Sequence, residues 1–598
     1  MKIKTIRGLL APLLFFSMVF GTQAAAHPGQ PDKIPGFKWH VVELEAPGSE
    51  GLEALAAQGF EIMEITPGGD ARVLASDSEL RRIGELGFKA RILIEDYGRR
   101  LAGRRSEEPV LAASDDMLPP GSMGGYFSPE EIIAFVDSLI AIDTHGIITE
   151  RVEIGRSSWD EPIWMFKVSD NPELDENEPE VFYNSLIHAR EPMSVMALLY
   201  YLRYIIGNYG RVDSVTELVD SREMYFIPLV NPDGYKINWD IYQGSGGMSF
   251  GFWRKNARDN NGNGELDSFD GVDLNRNFSF KWGYDNQGSS GYTSSDSYRG
   301  PEPFSEPETV VIREFLKSRS MATAVNYHTY GNVLINPFNY LNLQTPDSAL
   351  YNRLGPLLTA ESGYKFGNVS QTLGSYYRAN GEFTDWEYTD TTEREKIIAW
   401  TCEVGPRSYG FWPPADKVTP MAAELLPFNY TLAAVSGFWP RLDTLAVVYH
   451  GEDSSRVSLA PGVSNPGISA NSEELSLKLE SLSQGLEASV PAVSMPDLEP
   501  GCGASFPADS LRVFFRENSF NGSAKLALYE GDRRVRTFRV SVSRPVPSSY
   551  DVDRDGRIDI FDLLALLKAL GSGVPEGCDV NSDGRVDIFD LIDLLRVL

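Results

Sequence analysis

The chain has 598 residues, of which 42% are hydrophobic, with 54 glycines, 37 prolines and a formal net charge of −30. That length exceeds one hydrophobic core and predicts about three to five domains. The acidic balance argues against nucleic acid or an anionic membrane as partner and favours solubility and cation binding.

The first 26 residues read as a signal peptide: basic MKIKTIR, apolar GLLAPLLFFSMVFG, then AAA before His27. The apolar run is too short to span a bilayer and no later stretch approaches such a length, so a secreted, soluble chain is expected. Residues 27–118 alternate as β-α-β-β-α-β, the pattern of a small ferredoxin-like module. It closes in YGRRLAGRRSEEPVLAASDDM, whose paired arginines and polar character predict an exposed, protease-accessible linker. A small module beside such a linker suits a removable pro-segment.

Residues 119–440 alternate helical stretches (SPEEIIAFVDSLIAI, EPMSVMALLYYLRYII) with apolar strands (EVFYNSLI, EMYFIPLV, ATAVNYHT, IIAWTCEV). Strands without strict polar alternation, separated by helices, predict an α/β domain with a mostly parallel mixed sheet flanked by helices. Ligand sites in such sheets gather at the carboxyl ends of strands, and His188, His328 and Glu403 all stand there. The HAREP stretch places His188 and Glu191 three apart, a spacing that on a helical turn converges on one metal ion. With His328 as third ligand, two imidazoles and a carboxylate suit zinc with one position left for water.

Between Arg254 and Asn275 lies RDNNGNGELDSFDG. Counted from Asp259, oxygen side chains fall at loop positions 1, 3, 5, 9 and 12 (Asp259, Asn261, Asn263, Asp267, Asp270), with Gly264 at 6. This register predicts a calcium loop; the alternative is an Asn-Gly surface loop.

HAREP, NPDGY, WRKN, GVDLNRNF, YRGPEPFSEPE, NYHTYGN and TCEVG, in that order, resemble the zinc metallocarboxypeptidases of the carboxypeptidase A/T type, the funnelin group. The resemblance implies His188, Glu191 and His328 as ligands of one zinc ion, and Glu403 as the general base toward a zinc-bound water. It implies Arg254 as oxyanion stabiliser, Asn275 and Arg276 as the clamp on the substrate's terminal carboxylate, Tyr377 as a mobile closing tyrosine and Arg190 as a subsite residue. The N-terminal module likewise resembles that family's pro-segment. At the base of the specificity pocket the family carries an apolar residue or an aspartate; Thr384 here is neither. Asn339 and Thr401 line the same pocket and Glu382 lies near enough to supply charge, so preference stays open between neutral and basic side chains, with a broad enzyme as first expectation.

The implied activity is removal of C-terminal residues from peptides or proteins with a free C-terminus. Two alternatives are an endopeptidase or amidase on cell-wall peptides, disfavoured by the Asn275-Arg276 clamp and Tyr377, and an inactive binding protein, disfavoured by the intact Glu403.

Residues 441–544 turn to short alternating strands, predicting an accessory β-sandwich, followed by the linker SRPVPSS. A repeat ends the sequence, DVDRDGRIDIFD and DVNSDGRVDIFD, each followed by a helical stretch, within residues 545–598. Asp551, Asp553, Asp555, Asp559 and Asp562, then Asp579, Asn581, Asp583, Asp587 and Asp590, occupy the oxygen positions of two calcium loops. The duplicated pattern resembles dockerin modules, which implies two calcium ions and a cohesin-type partner. Three cysteines are too few for a disulfide scaffold, although Cys502 and Cys578 could pair in an oxidising compartment.

Overall fold

The computed structural model describes residues 37–103, 117–374, 377–450, 456–506, 510–515 and 521–543, with 563–566, 592 and 594–595. The stretch expected to be a signal peptide, residues 104–116, the ten ligand positions of the terminal repeat and Cys578, with its expected pairing, lie outside these.

The N-terminal module has the expected alternation: β1 (Trp39–Leu44), α1 (Gly48–Ala57), β2 (Glu61–Ile65), β3 (Ala71–Ser76), α2 (Asp77–Glu85) and β4 (Ala90–Ile94). Its antiparallel sheet runs β2-β3-β1-β4. Ser76 caps α2 in a capping box with Glu79, satisfying donors that the first turn leaves free. The stretch read as open linker from Tyr97 onward begins instead as a helix, α3 (Tyr97–Ala102). Tyr97 and Leu101 are buried there, Tyr97 against Phe252, so the apolar positions inside YGRRLA outweigh its arginines.

The middle region carries α4 (Pro129–Ile142), β5 (Val152–Arg156), β6 (Pro162–Val168), β7 (Glu180–Asn184), α5 (Pro192–Asn208), α6 (Asp213–Val219), β8 (Glu223–Ile227) and α7 (Pro232–Gly244). It continues with α8 (Pro307–Lys317), β9 (Met321–His328), β10 (Val333–Ile335), α9 (Ser348–Leu358), β11 (Lys365–Gly367), α10 (Val369–Thr372), α11 (Phe383–Thr389), β12 (Ile398–Glu403), α12 (Ala415–Glu424) and α13 (Leu426–Val435). Eight strands form one sheet in the order β11-β10-β12-β9-β7-β8-β6-β5. Its centre, β12-β9-β7-β8, is parallel, while β6 and β5 run antiparallel at one side. Every residue of β7 and β8 is buried, as a sheet covered on both faces requires. Because the four central strands are parallel, their carboxyl ends share one edge of the sheet, and His328 pairs in register with Glu403 there.

Residues 441–543 form two facing sheets, β13 (Arg441–His450), β14 (Arg456–Ser464), β19 (Leu511–Phe515) and β16 (Leu486–Val490) against β17 (Ala492–Met495), β15 (Leu475–Leu482), β20 (Asn521–Glu530) and β21 (Arg533–Ser543); β18 (Gly503–Ser505) pairs with β14. Leu459, Leu477, Leu511 and Leu526 are fully buried between them. Among the described residues no helix is long and apolar enough to cross a membrane.

Candidate active site

The chain leaves β7 at Asn184 and turns before entering α5, and this turn presents both His188 and Glu191. The pair is not on a helix as the spacing predicts: Glu191 N–H bonds the His188 carbonyl across a turn, and Glu191 stands as the residue before the helix. A turn closed at i+3 brings the two side chains to one side just as a helical turn would. His328 arrives from the end of β9. His188 Nδ1 lies 2.9 Å from Glu191 Oε1 and 3.0 Å from His328 Nδ1, which is 3.0 Å from Glu191 Oε2. All three side chains are buried. Two ring nitrogens facing each other at hydrogen-bond distance beside a carboxylate make a mutual arrangement near the ~3.3 Å edge of a tetrahedral zinc site. These residues therefore fit a zinc ion, and among the described residues they are the one fully buried group of three whose ligand atoms lie within 4.8 Å of one another.

A carboxylate that the motif reading passed over holds this cluster. Asp273, fully buried, faces His188 Nε2 at 3.2 Å and accepts from Arg254 at 3.1 and 2.9 Å and from Asn275 N–H at 3.0 Å. Burial opposes its charge, but Arg254, Arg276 and His188 outweigh that and hold its carboxyl well below the usual range. Such a partner fixes the tautomer and orientation of a ligand imidazole. Asp273 was legible as the acid two residues ahead of Asn275 in GVDLNRNF. Glu191 is also held low: burial raises it, and the two imidazoles more than offset this.

Arg254 points its Nη1 at His188 Nδ1, 3.2 Å away, so its charge borders the metal position. Glu403 ends β12; burial, with Glu191 and Glu61 nearby, pushes its carboxyl well above the ordinary range. Asn275 and Arg276 form a short 3-10 turn, with Arg276 donating to the Gly288 carbonyl at 2.9 Å and to the Tyr377 hydroxyl at 3.4 Å. Tyr377 is thus drawn onto the clamp residues. Arg190 lies over the Phe411 ring at 4.4 Å and pairs with Asp296 at 2.7 Å and with Glu61 at 3.4 Å. His188, Glu191, Arg190, Arg254, Arg276, Tyr377 and Glu403 border one cleft, and Glu61, Phe60 and Gly59 of the N-terminal module form part of its wall.

Thr384, Thr401 and Asn339 cluster beside the clamp. Thr384 and Thr401 hydroxyls lie 2.7 Å apart, and Thr401 and Asn339 both donate to Glu382, at 3.4 and 3.2 Å. Asn275 accepts from Phe383 N–H at 2.9 Å, tying the clamp to this group.

Of the five loop positions, Asp259, Asn261 and Asn263 are exposed, Asp267 is partly exposed and Asp270 is buried. Asp259 accepts from Gly262 and Gly264 N–H at 2.7 and 2.8 Å, and Asp267 from the side-chain amides of Asn261 and Asn263 at 3.0 and 3.1 Å. Asp270 accepts from Asn260 and Asp267 N–H. The three aspartates are not among the described groups whose ligand atoms come within 4.8 Å of one another.

A buried pair of imidazoles with a carboxylate, at the carboxyl edge of a mostly parallel sheet and open to a cleft lined by arginines, defines a metal-dependent hydrolase of the α/β class. The chain belongs to the zinc carboxypeptidase family: residues 135–427 match the Peptidase_M14 zinc carboxypeptidase model, and residues 549–597 match the dockerin type I domain. It is 30% identical over 348 residues to carboxypeptidase A2 of Mus musculus, covering 56% of this chain and 76% of that protein. Against a zinc carboxypeptidase of Saccharothrix mutabilis subsp. capreolus it is 28% identical over 393 residues, 59% of this chain and 83% of that one. Its fold is similar to the crystal structure of the carboxypeptidase A from Helicoverpa armigera, with a TM-score of 0.53 at 20% identity over 67% of this chain and 97% of that one. The protein is a zinc carboxypeptidase carrying a dockerin type I domain.

Proposed function

We propose that the protein is exported and removes C-terminal residues from peptides, with Glu403 as general base and His188, Glu191 and His328 as ligands of one zinc ion. The observation that carries this reading is the convergence of those three side chains beside a cleft that His188 and Glu191 line together with Arg254, Arg276 and Glu403. Zinc held there would act as a Lewis acid and make water a stronger acid. Arg276 and Asn275 hold the substrate's terminal carboxylate, for which a planar guanidinium is suited. Arg254 faces the carbonyl oxygen as negative charge develops on it, in a site buried enough for that attraction to count. Glu403 takes a proton from the attacking water and passes it to the leaving amine. Tyr377 closes over the bound residue, and Arg190 meets the peptide further from its end. His328→Ala should lower bound zinc well below one per chain together with peptide hydrolysis; zinc measured near the wild-type stoichiometry would remove His328 from the ligand set.

The dockerin domain supports calcium at the two terminal loops and docking to a cohesin-type partner outside the cell. In the 259–270 loop, the register of oxygen side chains and the bond from Gly264 N–H to Asp259 support one further calcium ion. Such an ion would gather three aspartates that otherwise repel one another, and would steady the segment joining Arg254 to Asn275. Asp259→Ala with Asp267→Ala in the full chain should remove one calcium equivalent in titration and lower thermal stability by a few degrees. An unchanged calcium stoichiometry would sink this site.

A further inference from the structure

The floor of the specificity pocket is a hydrogen-bonded cluster around Glu382. Asn326 Nδ2 donates to the Thr384 hydroxyl at 2.8 Å. Thr384 and Thr401 hydroxyls are 2.7 Å apart, and Thr401 donates onward to Glu382 Oε1 at 3.4 Å. Either hydroxyl can donate across the shorter Thr384–Thr401 contact. Asn339 Nδ2 and Asp385 N–H add two more donors to Glu382 Oε2, at 3.2 and 2.9 Å. Three donors thus converge on Glu382, and none of them carries a charge. Asn339 Oδ1 is buried without a partner, and Glu382, 3% exposed, has no cationic nitrogen in ion-pairing distance among the described residues. Arg276, the guanidinium of the clamp, is committed to Gly288, Asn275 and Tyr377. A buried carboxylate without a cation is costly, and a ligand that brings one offsets the cost.

The floor is also placed where a C-terminal side chain would reach it. Thr401 and Glu403 stand two apart on β12 and so face the same side of the sheet, about 7 Å apart along the strand. Asn275 bonds Phe383 N–H, directly between Glu382 and Thr384. A residue whose carboxylate lies on Arg276 and whose peptide bond lies beside Glu403 therefore projects its side chain toward Glu382.

We propose that Glu382, with Asn339 Oδ1, selects substrates ending in lysine or arginine. The inference rests on the carboxypeptidase reading and narrows the broad preference that Thr384 alone suggests. An ammonium or guanidinium supplies only donors and brings the charge that the floor lacks, whereas leucine or phenylalanine leaves Asn339 Oδ1 without a donor and Glu382 without a cation.

The test is kcat/KM of the zinc-loaded full chain on peptides that differ only in a C-terminal Lys, Arg, Gln, Leu or Phe. Lysine and arginine should be favoured over leucine by about tenfold or more, and Glu382→Gln, which keeps an acceptor for Asp385 N–H, should lower the lysine-to-leucine ratio by about tenfold, mainly through KM. Removal of leucine or phenylalanine at rates equal to or above lysine, or a ratio untouched by Glu382→Gln, would overturn the proposal and leave the carboxypeptidase reading standing. Failure to shorten any of the peptides would overturn both.

Discussion

Glu403→Gln is expected to keep its zinc and lose peptide hydrolysis by about 10²- to 10⁴-fold, the usual worth of a positioned general base. The substitution keeps shape and hydrogen-bonding size at the end of β12, so the strand register that sets Glu403 beside His328 should survive. Among the described residues, what it removes is the carboxylate at this edge that is left to accept a proton and give it back. Glu191 cannot replace it: both of its oxygens face the imidazoles, and it is held strongly acidic there. Asp273 cannot either, since its oxygens are taken by Arg254, His188 and Asn275 N–H. The measurement pairs metal content with turnover of a small peptide. A variant with full zinc and turnover within tenfold of wild type would remove Glu403 from the role of base.

The parts of this site that the sequence made legible are those set by short motifs at strand ends. His188, His328 and Glu403 were readable because apolar runs such as EVFYNSLI and IIAWTCEV, flanked by breakers, read as buried strands, and parallel strands share one carboxyl edge. Asp273 was less legible: it carries no periodic signal, and its importance comes from contacts with His188 and Arg254, 85 and 19 residues away. The same holds for Glu382, whose surroundings of Asn339, Thr401 and Asp385 are assembled by three separate segments. The helix over Tyr97–Ala102 was hidden for another reason. Its paired arginines suggest an open linker, whereas its fate is decided by Phe252, far along the chain, on which Tyr97 stacks. The sandwich strands were visible as alternation, but the order in which they pair depends on contacts that alternation does not encode.

Cleavage of the chain within residues 104–116 should raise activity on small peptides by about 100-fold, the effect expected when an intramolecular plug at millimolar effective concentration has an affinity near 10 µM for its cleft. The N-terminal module reaches the site through Glu61, whose carboxylate accepts from Arg190 at 3.4 Å and from the Tyr330 hydroxyl at 3.1 Å. It is held there by contacts on either side of the cleft. Phe37 lies against Trp253 at 5.3 Å and Trp39 against Phe252 at 5.7 Å, while Arg82 donates to the Ser294 carbonyl at 2.9 Å and Ser295 to that of Gln58 at 2.6 Å. Cutting the linker turns these into contacts between separate molecules, so dilution releases the module and frees Arg190 for substrate. Gly59 offers a control that needs no protease. Its φ of +79° disfavours any side chain, and a Cβ there would stand 2.6 Å from the Ser297 hydroxyl. Gly59→Val should therefore loosen the module and activate the uncut chain in part, with kcat/KM rising and zinc content unchanged. An uncut wild-type chain as active as the cut one, or a cut chain no more active after dilution, would show that the module does not close the cleft.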